Sequence, residues 1–201
     1  FDALGIELVI RAAAGCCRSR SRPARAPRGC SRPGSQEEEA LMATHFIYLV
    51  RHGLAAEQGA DYPDDGQRPL TAEGVERLRF EGVGLRQLQV KLDRVLTSPL
   101  VRAVQTAEIL SAAVGGGAPL VTVDALRPGG RYEALMASLA RLGPDRSIAL
   151  VGHMPSIGEI AARLIGAREP LAFKKGAVCC VETETLPPTE SGRLQAGNDV
   201  T

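Results

Sequence analysis

Three short apolar runs constrain this chain most, because each ends in an arginine or histidine. Phe46–Val50 (FIYLV) runs into Arg51-His52-Gly53. Asp93–Thr97 (DRVLT) runs into Ser98-Pro99-Leu100-Val101-Arg102. Ser147–Val151 (SIALV) runs into Gly152-His153-Met154-Pro155. Short β-branched and aromatic runs bounded by turn residues read as buried strands. Helical patterns lie between them. Thr71 is placed to cap a helix with Glu73 in its first turn, and Val75, Leu78, Val83, Leu85 and Leu88 make an imperfect apolar stripe broken by Gly82 and Gly84. Ser98-Pro99 reads as an N-cap and a first-turn proline for a helix through Leu110. Residues 131–142 and 155–165 read as two more helices, and 119–123 and 176–181 as further strands. Strands alternating with helices predict a three-layer α/β/α sandwich on a mostly parallel sheet.

Such a sheet binds ligands outside the carboxyl ends of its strands. Arg51, His52, Arg102 and His153, far apart in sequence, are therefore expected in one crevice. Arg102 is expected about one turn into its helix, whose N-terminus also favours anions. Two guanidiniums offer fixed, bidentate positive charge to a phosphoryl group. Two imidazoles donate, accept or attack near neutral pH. Phosphoryl transfer needs chiefly positioning and charge stabilisation, and histidine can serve as its nucleophile. His45 lacks any such surroundings and reads as structural.

Composition narrows the alternatives. The 201 residues carry net charge +1 with seven aromatics and no tryptophan. That argues against nucleic acid, which needs bulk positive charge or stacking platforms. No apolar run approaches the roughly 20 residues that span a bilayer. Five cysteines make no disulfide framework, and Cys16, Cys17 and Cys30 lack metal-site spacing. No membrane association and a cytoplasmic location are expected. The charge is uneven: residues 1–41 hold seven arginines and net +2, leaving about −1 for the rest. From Arg11 to Gly34 there is no acid, and Arg, Ala, Ser, Pro and Gly dominate. Such a stretch cannot bury a core. Residues 1–41 are expected to be a disordered basic leader foreign to the native protein, with Met42 as the start. Residues 42–185 form the domain, and 186–201 a loose tail.

The motifs also carry a resemblance. LVRHG (49–53), RPLTAEG (68–74), SPLVRAVQTAEIL (98–110) and VGHMP (151–155), in that order, resemble the histidine phosphatase superfamily, with its phosphoglycerate-mutase-like fold. The short chain and the RHG-x-A-A-E and RPLT-x-x-G pattern resemble its SixA-type phosphohistidine phosphatase branch. The resemblance implies that His52 is the nucleophile, that Arg51, Arg102 and His153 bind the phosphoryl oxygens, and that neither metal nor organic cofactor takes part. It places Arg68 and Ser98 beside the site as supporting substrate-binding residues.

Two departures bear on the substrate. Many relatives carry an acidic proton donor after the third strand, but Ala125–Gly130 contains no carboxylate. An alcohol leaving group, with a pKa near ~16, needs a proton far more than an imidazole of pKa ~6.5. The gap therefore favours phosphohistidine over sugar phosphates, although Glu57, Asp61, Asp64 or Asp65 on the 53–70 loop are within chain reach. Residues between Arg102 and His153 are consumed by predicted elements, leaving little for a lid. The expected partner is a phosphotransfer domain or another phosphorylated protein. The alternatives are a phosphatase of small phosphomonoesters and a non-catalytic phosphate-binding module. Leu54 stands where some SixA-like chains have Asp, and the C-terminus lacks a convincing last strand.

Overall fold

The computed structural model describes residues 44–188 and, ahead of them, a two-residue strand, β1 (Val9–Ile10). The rest of the basic leader, Met42, Cys16, Cys17, Cys30 and the chain beyond 188 lie outside the described residues. Five strands follow: β2 (His45–Arg51), β3 (Arg94–Thr97), β4 (Leu120–Thr122), β5 (Ser147–Gly152) and β6 (Val178–Thr183). The sheet order is β1-β6-β2-β5-β3-β4. Strands β2, β5, β3 and β4 are mutually parallel, and β6 runs antiparallel to β2.

Helices α1 (Ala72–Gln87), α2 (Val101–Val114), α3 (Tyr132–Leu139) and α4 (Ser156–Ile165) cover both faces. Period-two alternation divides the core between them. Ile47, Leu49, Ile148 and Leu150 point into one cluster with α3 and α4 residues Leu135, Leu139, Ile157 and Ile160. Val50, Ala149 and Val151 point into the other with Leu85, Ala103, Ala107 and Leu110. The expected α/β/α sandwich is the fold observed. Truncating a fully buried leucine such as Leu150 to alanine costs about 2–5 kcal/mol.

Gly82, expected to weaken α1, has a packing reason. A Cβ there would stand 2.3 Å from the Ala113 Cβ, so the glycine lets α1 lie close on α2. Thr71 caps α1 as expected, its hydroxyl accepting from Gly74 N at 3.0 Å. Helix α2 differs from expectation. It starts at Val101 with Leu100 at the cap position and no side-chain cap. The Ser98 hydroxyl accepts only from the Leu100 amide at 3.4 Å and meets a second, buried partner, and Arg102 is the second helical residue rather than one turn in. Helix α3 stops at Leu139, short of the expected 142, where the chain tightens into i→i−3 bonds from Arg141 N to the Ser138 carbonyl and from Leu142 N to that of Leu139. Among the described residues no helix is long and apolar enough to cross a membrane.

Candidate active site

Strand register brings the motif residues together. Arg51 pairs with Gly152, so the next residues, His52 and His153, emerge side by side. Thr97 pairs with Val151, setting Ser98 level with Gly152. The two imidazole centroids are 4.9 Å apart, with ring planes tilted by 53°. His52 is 9% exposed, Arg102 4% and His153 2%, so these polar side chains are largely desolvated.

His52 has a defined tautomer. Its Nδ1 lies 2.8 Å from the Gly53 carbonyl, which can only accept. Nδ1 therefore carries the hydrogen, and Nε2 carries the lone pair. Burial, then the charges of Arg102, Arg51 and Lys175, push the His52 pKa down to about 4, against the opposing Gly53 bond. The ring is neutral at physiological pH, with the Nε2 lone pair free of a proton. His153 is pushed down to about 3, mainly by burial and then by His52 and Arg102. Its Nε2 is 2.9 Å from the Ser98 hydroxyl, and its Nδ1 is buried without a partner. A Ser98 O–H donated to Nε2 leaves Nδ1–H as a free donor for a phosphoryl oxygen. Ser98 thus acts on the site through His153.

The arginines are anchored by main-chain and carboxylate groups. Arg51 Nη1 donates to the Phe173 carbonyl at 2.6 Å, and its buried Nε has no partner. Arg102 Nη1 and Nη2 donate to the Asp65 carbonyl and Oδ2 at 2.6 and 2.8 Å, and its Nε is likewise buried and unpaired. Arg68 does not join the quartet. Its Nε donates to Asp65 Oδ1 at 2.8 Å and its Nη1 to the Ala56 carbonyl at 2.8 Å. Hydrogen bonds from Arg102, and then from Arg68, hold the Asp65 carboxyl below the usual range. Of the four loop acids named from the sequence, Asp65 is the one that binds Arg102.

The turn before β6 closes the other side. Gly176 N lies 3.1 Å from the Arg51 carbonyl and 3.2 Å from that of His52, at a φ of +89° that favours glycine. This turn carries Lys174-Lys175, and Lys175 adds positive potential at His52. Two residues on α2 that sequence reasoning left unassigned also contribute. Thr106 Oγ1 accepts from Gly53 N at 3.1 Å and donates to the Arg102 carbonyl at 2.7 Å. Gln105 Oε1 accepts from Leu70 N at 2.7 Å. Their signal was their place inside SPLVRAVQTA, one turn beyond Arg102. Among the described residues, no three His, Cys, Asp or Glu side chains gather as metal ligands would.

Residues 47–135 match the family model of the histidine phosphatase superfamily (branch 1). The phosphohistidine phosphatase SixA of Escherichia coli is 30% identical over 137 residues, covering 67% of this chain and 83% of that protein. The chain belongs to the histidine phosphatase superfamily, in its SixA-type branch. An uncharacterized protein of Picosynechococcus is 47% identical over 117 residues, covering 57% of this chain and 70% of its own. A solved structure of the histidine phosphatase SixA with tungstate superimposes at a TM-score of 0.60 and 30% identity, covering 66% of this chain and 85% of that one. The superfamily's phosphoglycerate-mutase-like fold is the fold seen here. Membership makes the protein a phosphatase, a hydrolase of phosphorylated substrates.

Proposed function

We propose that this phosphatase hydrolyses phosphohistidine on a partner protein through a phosphoenzyme at His52. One observation carries the reading: a neutral His52, its Nδ1–H bound to Gly53, stands beside two arginines and a second neutral histidine. Nε2 attacks phosphorus as the bond to the substrate imidazole breaks. Arg51, Arg102 and His153 Nδ1–H neutralise the three non-bridging oxygens, where charge must be met in the transition state. The substrate ring, protonated from solvent on its other nitrogen, keeps the electron pair of the P–N bond and leaves as neutral imidazole. A second water then attacks phosphorus, the bond to Nε2 breaks, and inorganic phosphate leaves.

The acid that contacts the site's arginines supports this substrate class. Asp65 is ionised and bound by two arginines. Asp124 is 87% exposed and paired with Arg127. Asp65, held by both arginines, is not free to protonate an alcohol leaving group, whereas a substrate imidazole protonated from solvent leaves without an acid from the enzyme. The reading includes no metal and no organic cofactor. It takes a phosphotransfer domain as the partner and the cytoplasm as the location.

Rapid quench with labelled substrate tests the mechanism. The parent should give an acid-labile, base-stable phosphoenzyme, and His52→Ala none. Turnover that survives His52→Ala would sink the mechanism. A panel of phosphohistidine protein, sugar phosphates and nucleotides tests the substrate. Equal or better hydrolysis of an alkyl phosphate rejects phosphohistidine as the favoured class.

A further inference from the structure

We infer that Asp65 is a positioning residue for the reaction, clamping Arg102 by one edge so that its other edge faces the transferred phosphoryl group. The inference rests on the site reading above. A guanidinium has two useful edges, Nη1 with Nη2 and Nε with Nη2. Asp65 takes the first, through its carbonyl at 2.6 Å from Nη1 and its Oδ2 at 2.8 Å from Nη2. The second edge keeps a buried Nε–H without a partner. A carboxylate blocking the phosphoryl position would occupy that second edge, and this one does not.

The clamp is itself held. Arg68 binds the remaining carboxylate oxygen, Oδ1, and ties it to the Ala56 carbonyl. The loop closes at its base through the Ala55–Leu70 bridge and through Gln105, which takes Leu70 N. Gln105 and Arg102 both lie on α2, so the Asp65 turn is fastened to the helix that carries the arginine it orients. Arg102 is 4% exposed, and an unpaired cation at that depth is costly. Asp65 supplies the counter-charge and fixes a side chain with several rotatable bonds before substrate arrives. Orientation fixed in advance raises the rate of the chemical step more than it raises affinity.

The test measures kcat and KM for an activated aryl phosphate, which any substrate class within this family permits, together with inhibition by inorganic phosphate and thermal melting. Asp65→Asn should lower kcat about 20-fold to 100-fold while KM changes less than about threefold. Asp65→Glu should recover part of the loss. Arg68→Met should lower kcat about fivefold, and the double variant should be no worse than Asp65→Asn, because both act through one clamp. If Asp65 competes with phosphate instead, Asp65→Asn will lower KM and tighten phosphate inhibition with kcat undiminished, which overturns the inference. Additive losses in the double variant also overturn it. If Asp65→Asn melts too early to assay, an unchanged kcat in Arg68→Met is the overturning result. Aryl phosphate turnover that survives His52→Ala defeats the site reading itself, independently of Asp65.

Discussion

Glu81 sits in α1 behind the catalytic strand, and its carboxylate has no business being charged there. Its Oε2 is buried without a partner, and a Cβ built on Gly176 would lie 2.7 and 2.8 Å from its two oxygens. Burial pushes its pKa up to about 7, against a weaker pull from Arg77. In the unfolded chain the group titrates near ~4.3. The folded state therefore holds the extra proton, and its stabilising contribution is present at low pH and lost as pH rises through about 7. Between about pH 5.5 and 8.5 the part of the shift still to be lost, from 5.5 to about 7, corresponds to about 2 kcal/mol, and solvent screening of a partly exposed group reduces this to about 1 kcal/mol. For a domain of this size that is about 2–4 °C in Tm. Scanning calorimetry of the parent and Glu81→Gln at both pH values reads it. Any cost of burying the amide is independent of pH and cancels in the comparison. Glu81→Gln should gain about 2–4 °C on the parent at the higher pH relative to the lower. The same Tm difference at both pH values would refute the reasoning.

Other consequences follow from the same geometry. Nitrogen-15 NMR of the histidine rings should show His52 as the neutral Nδ1–H tautomer at pH 7, protonating only near pH 4; a midpoint between 6 and 7 contradicts burial as the controlling cause. Ser98→Ala removes the partner of His153 Nε2 and should lower kcat/KM about 5-fold to 30-fold, the worth of about 1–2 kcal/mol; an unchanged kcat/KM removes Ser98 from the site. Gly82→Ala should destabilise by about 1–3 kcal/mol through overpacking against Ala113. Adding Ala113→Gly should recover part of that loss in urea melts, and simple additivity would exclude the contact.

The four central site residues were legible because strand ends are legible. Once FIYLV, DRVLT and SIALV are parallel neighbours, the chemistry of their last residues must meet, and register then sets His52 beside His153. Ser98 shows where such reading stops. As a sequence, Ser-Pro before a helix is a cap, and only the pairing of Thr97 with Val151 reveals that its hydroxyl, which keeps a 3.4 Å bond from the Leu100 amide, also faces His153. The hydroxyl serves a tertiary partner as well as the local amide, and the helix begins two residues later than the proline implied. Asp65 was harder still. The loop offers Glu57, Asp61, Asp64 and Asp65, and neither hydrophobic periodicity nor propensity ranks them. What selects Asp65 is the short 3-10 turn Asp65–Gln67, which turns both its carbonyl and its carboxylate toward one buried guanidinium. A loop's contribution to a site is decided where it is fastened, here at Leu70 and Ala55, and those fastenings are long-range hydrogen bonds that leave no periodic trace. The same loop supplies the one described acid in contact with Arg102. That acid is bound by two arginines and is not free to give a proton, which supports the proposed phosphohistidine substrate, whose imidazole needs no acid from the enzyme.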